Sequence, residues 1–131
     1  SQLQKDAYGT VAEAQSAAIR LMKPNASVRE INSTAKAIVE GAGYIVPFRI
    51  GHGLGLEYGT WDPISKAFSD PWQNKVAPEF MLKEGMSLEL HVSAMDPGLR
   101  RPSAVVGDVC VITDSGVSVL TRSARELWEI T

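Results

Sequence analysis

The chain has 131 residues, of which 44% are hydrophobic and 21% are charged, and its formal net charge is -2. This length supports one domain with one hydrophobic core. The sequence has no cluster of lysine and arginine and no apolar run long enough to span a membrane, so neither nucleic acid nor membrane is an expected partner. The single cysteine, Cys110, cannot form an internal disulfide and is expected to be a small buried core residue. A reducing, cytoplasmic compartment fits this cysteine usage and is the predicted location.

The first third of the sequence predicts two helices joined by a short turn. Residues 5–22 carry small and apolar side chains at three- and four-residue steps, which is the period of an amphipathic helix. Pro24 disfavours helix in the residue before it and so ends this segment. Ser27 and Glu30 have the Ser-x-x-Glu spacing of a capping box ahead of a second helix. Two helices joined by so short a turn are expected to pack antiparallel.

The rest of the sequence favours strands separated by one long loop. Residues 44–59 mix β-formers with glycines and one proline, which indicates extended backbone. Residues 61–81 contain three prolines and two tryptophans and are predicted to form a long ordered loop. Residues 84–96 alternate apolar and polar side chains, as a strand with one buried face does. Residues 103–121 predict two strands around a tight turn, and residues 124–131 a short closing element. Helices followed by antiparallel strands predict an α+β fold.

Four stretches of the sequence resemble, in this order, the pita-bread superfamily of methionine aminopeptidase, Xaa-Pro aminopeptidase, prolidase and creatinase. They are AYGTVAEAQSAAIRLMKPNASVREI, GHGLGLEYG, LKEGMSLELHV and VVGDVCVITDSGVSVLT. The resemblance implies two helices packed on a curved antiparallel sheet, and it covers only the second half of the family's catalytic domain. We therefore expect residues 1–131 to be a single domain, the C-terminal half of a longer polypeptide or a half-domain that completes itself by dimerising.

The same resemblance identifies His52 as the match of the family's metal-ligand histidine. The family's second histidine falls on Gly59, and its two metal-binding glutamates fall on His91 and Gly107, beside which Asp108 is kept. A dinuclear hydrolase holds two cations with bridging carboxylates, so these replacements predict that the metal pair is lost. His52 and His91 could hold a single divalent ion, but catalytic zinc sites normally use three protein ligands. We predict no metal and no other cofactor.

His52, Glu89 and His91 are predicted to line one polar cavity, since Glu89 and His91 share a strand face at i, i+2 spacing. In one interpretation they bind a small amino-acid or peptide ligand, and His52 is also a candidate catalytic group. In the other interpretation both histidines are hydrogen-bonded remnants of the fold. Asp108 is expected on the opposite sheet face, because successive strand side chains alternate.

Three functions remain open on the sequence alone. The first is a diverged hydrolase of the Xaa-Pro peptidase and creatinase group that is free of metal and acts on or binds a small amino-acid-like ligand. The second is a non-catalytic pseudo-peptidase that binds a peptide or protein partner through the same cleft. The third is a working metallo-aminopeptidase whose site the missing half completes. We expect the chain alone to lack peptidase activity and to expose an apolar face that favours a homodimer.

Overall fold

A computed structural model of the chain describes residues 1–55, 63–68, 79–98 and 101–130, the side chains of residues 101 and 102 excepted. The elements in chain order are α1 Gln2–Leu21, α2 Val28–Gly41, β1 Gly51–Gly53, α3 Pro63–Ala67, β2 Ser87–Asp96, β3 Arg101–Ile112 and β4 Val117–Val119. The strands form one antiparallel sheet in the order β1-β2-β3-β4, so each strand pairs with its neighbour in sequence. The predicted α+β fold, with helices packed on an antiparallel sheet, is confirmed.

Both long helices begin at a serine cap. The Ser1 hydroxyl accepts a hydrogen bond from Gln4 N, and the Gln4 side chain reaches back to the Ser1 backbone, so α1 begins three residues before the range that apolar spacing predicted. The Ser27 hydroxyl accepts from Glu30 N at 3.3 Å and begins α2, as predicted. Between the helices, Asn25 adopts a left-handed φ of 63°, which asparagine tolerates better than most residues. No helix of the described residues is long and apolar enough to cross a bilayer.

The hydrophobic core lies between the two long helices and one face of the sheet. Fully burying one aliphatic side chain contributes roughly 1.5–3 kcal/mol, so this layer contributes much of the stability that holds helices and sheet together. Cys110 is buried in it, as predicted, and burial, followed by the nearby Asp108 charge, raises the pKa of its thiol to about 11. The buried residues recur at helical spacing on the helices and at alternate positions on the strands: Val11, Ala14, Ala18, Ile31, Ala35, Val39, Leu88, Leu90, Val92 and Cys110.

The long loop predicted over residues 61–81 contains a short helix, α3, which that prediction missed. Pro63 suits the first turn of a helix, where its missing N–H would have no partner. The helix is held by tertiary contacts, because Phe68 directly after it is buried in the core and Ser65 Oγ accepts from Gly53 N at 3.1 Å. These contacts pack α3 on β1.

The C-terminal segment, residues 120–130, forms no helix or strand and runs back along α1. Arg125 Nη1 donates to Ser16 Oγ at 3.0 Å, and Lys5 Nζ lies 2.6 Å from a Glu129 carboxylate oxygen. Later residues of the segment thus contact earlier residues of the helix, so the two run antiparallel. The predicted closing element is an extended strap on α1.

Candidate functional site

The register of β1 against β2 brings His52 directly opposite Glu89. Side chains opposite one another in an antiparallel sheet project from the same face. Leu90 and its alternate neighbours on β2 fill the core, so the odd-numbered residues project from the other side of the sheet. We call this side the histidine face and define it by His52, Glu89, His91 and Ser93. The structure therefore brings together the three residues proposed from the sequence, and adds a fourth that sequence reasoning did not single out.

His52 is the most enclosed of the three. Its Nε2 lies 3.3 Å from Glu89 Oε2, and its Nδ1 lies 3.0 Å from Gly53 O. A carbonyl oxygen only accepts, so Nδ1 carries a proton and donates to Gly53 O. A hydrogen bond between Nε2 and the Glu89 carboxylate then needs one further proton, held on either partner. Both ring nitrogens of His52 thus face an acceptor, Gly53 O at Nδ1 and the Glu89 carboxylate at Nε2.

His91 lies beside this pair and differs from it in charge. Its ring centroid is 5.4 Å from that of His52, with the rings tilted by 54°. Burial lowers the pKa of His91 below its usual value, the positive charges of His52 and Arg49 lower it further, and Glu89 partly opposes them. His91 is therefore a neutral imidazole at neutral pH, with one nitrogen able to donate and the other to accept.

The strand opposite His91 supplies no side chain, because its paired residue is Gly107. A Cβ at Gly107 would lie 3.5 Å from His91 Cβ and 3.7 Å from Glu89 Oε1, which are ordinary contact distances. Packing therefore does not require this glycine. Gly51 differs, since a Cβ there would lie 2.9 Å from the Phe68 ring and 3.0 Å from Glu89 O. Gly51 allows α3 and β2 to approach, whereas Gly107 leaves no carboxylate opposite His91.

Asp108 points to the helix side of the sheet, as strand alternation predicts. Its Oδ2 accepts from Gln15 Nε2 at 3.0 Å and from Arg125 Nη2 at 2.7 Å, while its Oδ1 accepts from the Thr121 hydroxyl. These donors offset the cost of burying a charged carboxylate. Asp108 therefore fastens the C-terminal strap to the sheet and has no part in the histidine face.

Gln15 connects this network to the backbone behind the histidine face. Its Nε2 donates to Leu90 O at 2.7 Å, and its Oε1 accepts from Val92 N at 3.2 Å. These two backbone groups flank His91, so a fully buried amide holds β2 at that residue. Gln15 lies among the small and apolar side chains whose helical spacing predicted this helix. Sequence reasoning missed its role in holding β2. The available signal was a polar amide among small and apolar residues, because a buried amide needs hydrogen-bond partners.

The described residues do not fit a pair of metal ions. Among them, no group of three or more histidine, cysteine, aspartate and glutamate side chains could hold an ion. Glu89 is directed at His52, and Asp108 lies on the other sheet face. Gly59, where the resemblance places the family's second histidine, lies outside the part of the chain that the structure describes, as do Trp61 and Trp72, the two tryptophans of the predicted loop.

The chain is similar to known peptidases along most of its length. The sequence model of metallopeptidase family M24 matches residues 1–114. An Xaa-Pro dipeptidase of Pyrococcus furiosus is 34% identical over 129 residues, which are 95% of this chain and 33% of the dipeptidase. The solved prolidase of Pyrococcus horikoshii OT3 superposes with a TM-score of 0.77 at 32% identity, over 98% of this chain and 34% of the prolidase.

A more distant structure shares the fold alone. The methionine aminopeptidase of Rickettsia prowazekii superposes with a TM-score of 0.66 at 18% identity, over 88% of this chain and 51% of that protein. Compared with the two Pyrococcus Xaa-Pro dipeptidases, the chain spans about a third of the relatives' length.

Proposed function

Because the chain belongs to metallopeptidase family M24, we propose that its histidine face binds a small amino-acid or peptide ligand without a pair of metal ions. The resemblance to pita-bread peptidases is confirmed, and so is the fold as the C-terminal half of their catalytic domain. The relatives named Xaa-Pro dipeptidase and prolidase make dipeptides that end in proline the first ligands to consider.

One observation carries the proposal. Two imidazole rings 5.4 Å apart share a sheet face with Glu89, and the position opposite His91 is Gly107. The resemblance places a metal-binding glutamate at each of positions 91 and 107, and a dinuclear site depends on such carboxylates. What remains at these positions is a neutral imidazole and an open space, which suit an uncharged or zwitterionic organic group better than two cations.

The charges around the face suit an amino-acid-like ligand. Glu89, whose side chain is 38% exposed, is an accessible acid for an ammonium group. The positive charge of Arg49 acts on His91 and would attract a carboxylate. If the complete polypeptide is a hydrolase, the His52–Glu89 pair is the group on this face able to act in general acid–base catalysis of C–N bond cleavage.

A second candidate function is the capture of a peptide or protein partner without catalysis. Phe48 is exposed and lies in the segment directly before β1. This segment is hydrogen-bonded to β2 at Ile45 and at Ile50. An exposed aromatic side chain beside a polar face is typical of peptide-binding surfaces. The third possibility, a working metallo-aminopeptidase, would require residues beyond those that the structure describes to supply nearly the whole donor set.

Calorimetry on the purified chain tests the main proposal. We expect no tight binding of Mn²⁺, Co²⁺ or Zn²⁺, no turnover of L-alanyl-L-proline with Mn²⁺ or Co²⁺ added, and measurable binding of the same dipeptide. His91→Ala should abolish that binding, whereas Glu40→Gln, an exposed carboxylate of α2 paired with Lys36, should leave it intact. Tight metal binding that is lost in His52→Ala, or turnover by the chain, would contradict the proposal.

A further inference from the structure

One polar atom on the histidine face has no hydrogen-bond partner. Ser93 is 1% exposed, and its Oγ is the buried side-chain oxygen or nitrogen left without a partner in the part of the chain that the structure describes. Burying a hydroxyl without a hydrogen bond is unfavourable, and native structures retain few such groups. An alanine would fill nearly the same space without this cost, so the hydroxyl calls for an explanation.

Ser93 is the most buried residue of the histidine face. It follows His91 by two residues on β2, so its side chain projects from the same face, while its neighbours Val92 and Ala94 are buried on the helix side. Exposure falls along the strand from Glu89 to Ser93. A ligand bound on this face would therefore enter at Glu89 and end at Ser93.

The chain beside Ser93 departs from regular strand pairing. Ile45 pairs with Met95, and His91 N donates to Ile50 O at 2.8 Å. Between these contacts, residues 46–49 run opposite residues 92–94, so the outer chain contains one extra residue. Such bulges locally disrupt the ladder and are frequent beside active sites. Arg49 lies in this bulge, and its charge acts on His91.

We propose that Ser93 is a ligand-binding residue whose hydroxyl donates to the carboxylate of a dipeptide lying along β2. In this arrangement Arg49 attracts the same carboxylate, His91 contacts the middle of the ligand, and Glu89 accepts the ammonium group. The inference deepens the proposed function and rests on it, since it names the ligand class and the direction of binding. A hydroxyl and an arginine acting on one carboxylate form strong, charge-assisted hydrogen bonds.

The length of the face favours a dipeptide over a single amino acid. Glu89 and Ser93 are four residues apart, which corresponds to roughly 13 Å along a strand. An extended dipeptide spans roughly 7 Å, and a hydrogen bond of about 3 Å at each end completes the distance. A free amino acid would leave either Glu89 or Ser93 without its contact.

The test compares Ser93→Ala with Ser87→Ala, a matched control on the same strand and face. The Ser87 hydroxyl has a partner, because it donates to Leu54 O at 2.9 Å. In the absence of ligand we expect the thermal midpoint of Ser93→Ala to equal or exceed that of the unaltered chain, and that of Ser87→Ala to fall. A fall in Ser93→Ala as large as in Ser87→Ala would show that the Ser93 hydroxyl has a structural partner, and would overturn the inference.

Binding is measured by calorimetry with L-alanyl-L-proline and with its C-terminal amide, which lacks the carboxylate. Ser93→Ala should bind the dipeptide roughly tenfold to a hundredfold more weakly than the unaltered chain. Its loss of affinity for the amide should be clearly smaller, because the amide carbonyl still accepts a hydrogen bond but carries no charge. Ser93→Thr, which keeps the hydroxyl, should retain the affinity, as should Ser87→Ala.

The outcomes separate the two proposals. In one outcome, the unaltered chain and Ser93→Ala bind the dipeptide equally tightly and His91→Ala does not bind it. The proposed function then stands, and the proposed role of Ser93 is wrong. If the unaltered chain binds neither the dipeptide nor its amide, both proposals fail. If Ser93→Ala weakens the amide as much as the dipeptide, the hydroxyl does not recognise a carboxylate, and the inference is overturned.

Discussion

His91, on which the family resemblance places a metal-binding glutamate, carries a side chain whose charge depends on its neighbours. Burial is the largest cause of its lowered pKa, and the positive charge of His52 is the second. His52 in turn has acceptors at both ring nitrogens, Gly53 O at Nδ1 and the Glu89 carboxylate at Nε2. The face therefore keeps one imidazole in contact with a carboxylate and a second one neutral, which a pair of equivalent histidines in water would not do.

We predict that His52→Asn raises the pKa of His91 towards its usual value, because the variant removes a positive neighbour. Glu89→Gln should lower that pKa further, because Glu89 opposes the shift. A titration of the His91 Cε1–H signal by NMR measures both, with Glu40→Gln as the control that leaves the pKa unchanged. Shifts of the same sign in His52→Asn and Glu89→Gln would contradict the arrangement of charges described for the face.

The sequence predicted those strands and helices in which apolar residues recur at the spacing of a buried strand face or helix face. Apolar spacing predicted α1 and α2, and alternation predicted β2 and placed Glu89 beside His91. Helix α3 was missed because five residues carry no readable period, and its stability comes from Phe68 and from the Ser65–Gly53 hydrogen bond. The approach of His52 to Glu89 follows from the β1–β2 register, which only the family resemblance could suggest.

The contacts of Gln15 show why part of the site cannot be predicted from local sequence. Its partners Leu90 and Asp108 lie 75 and 93 residues away along the chain. Nothing in the pattern of α1 specifies which backbone groups a buried amide will meet, because that depends on how the helix packs across the sheet. The link from the C-terminal strap through Arg125 and Asp108 to the strand behind His91 is thus a property of the assembled elements.

We expect Gln15→Leu to lower the free energy of unfolding by roughly 2–4 kcal/mol, because Asp108 loses a donor and two backbone groups of β2 lose their partner. Gln2→Leu, an exposed position on the same helix, should change it by less than about 0.5 kcal/mol. Urea unfolding measures both variants. A Gln15→Leu chain as stable as the unaltered one would mean that the amide does not hold β2 to α1.

At the scale of the whole molecule, the histidine face is bordered by exposed apolar side chains in the part of the chain that the structure describes. Val105, which pairs with Ser93 and projects from the same face, is 53% exposed, and Phe48 is also exposed in the bulge beside it. Exposed apolar groups around a polar centre are typical of surfaces that meet another protein surface. The relatives are about three times as long as this chain. Two partners could therefore pack on these apolar side chains, a further part of a longer polypeptide or a second copy of the chain.

For the chain on its own we predict the second copy, hence a dimer that forms through the apolar residues bordering the histidine face. Light scattering coupled to gel filtration should show the mass rising towards that of a dimer as concentration increases. Val105→Thr should weaken the association, because it replaces an exposed apolar group at the proposed interface by a polar one of similar shape. Trp128→Ser is the matched control, since Trp128 is 80% exposed but lies in the strap on α1, on the other side of the sheet. A chain that stays monomeric at high concentration, or one whose dimer is lost in Trp128→Ser and kept in Val105→Thr, would show that the histidine face does not pair with a second copy.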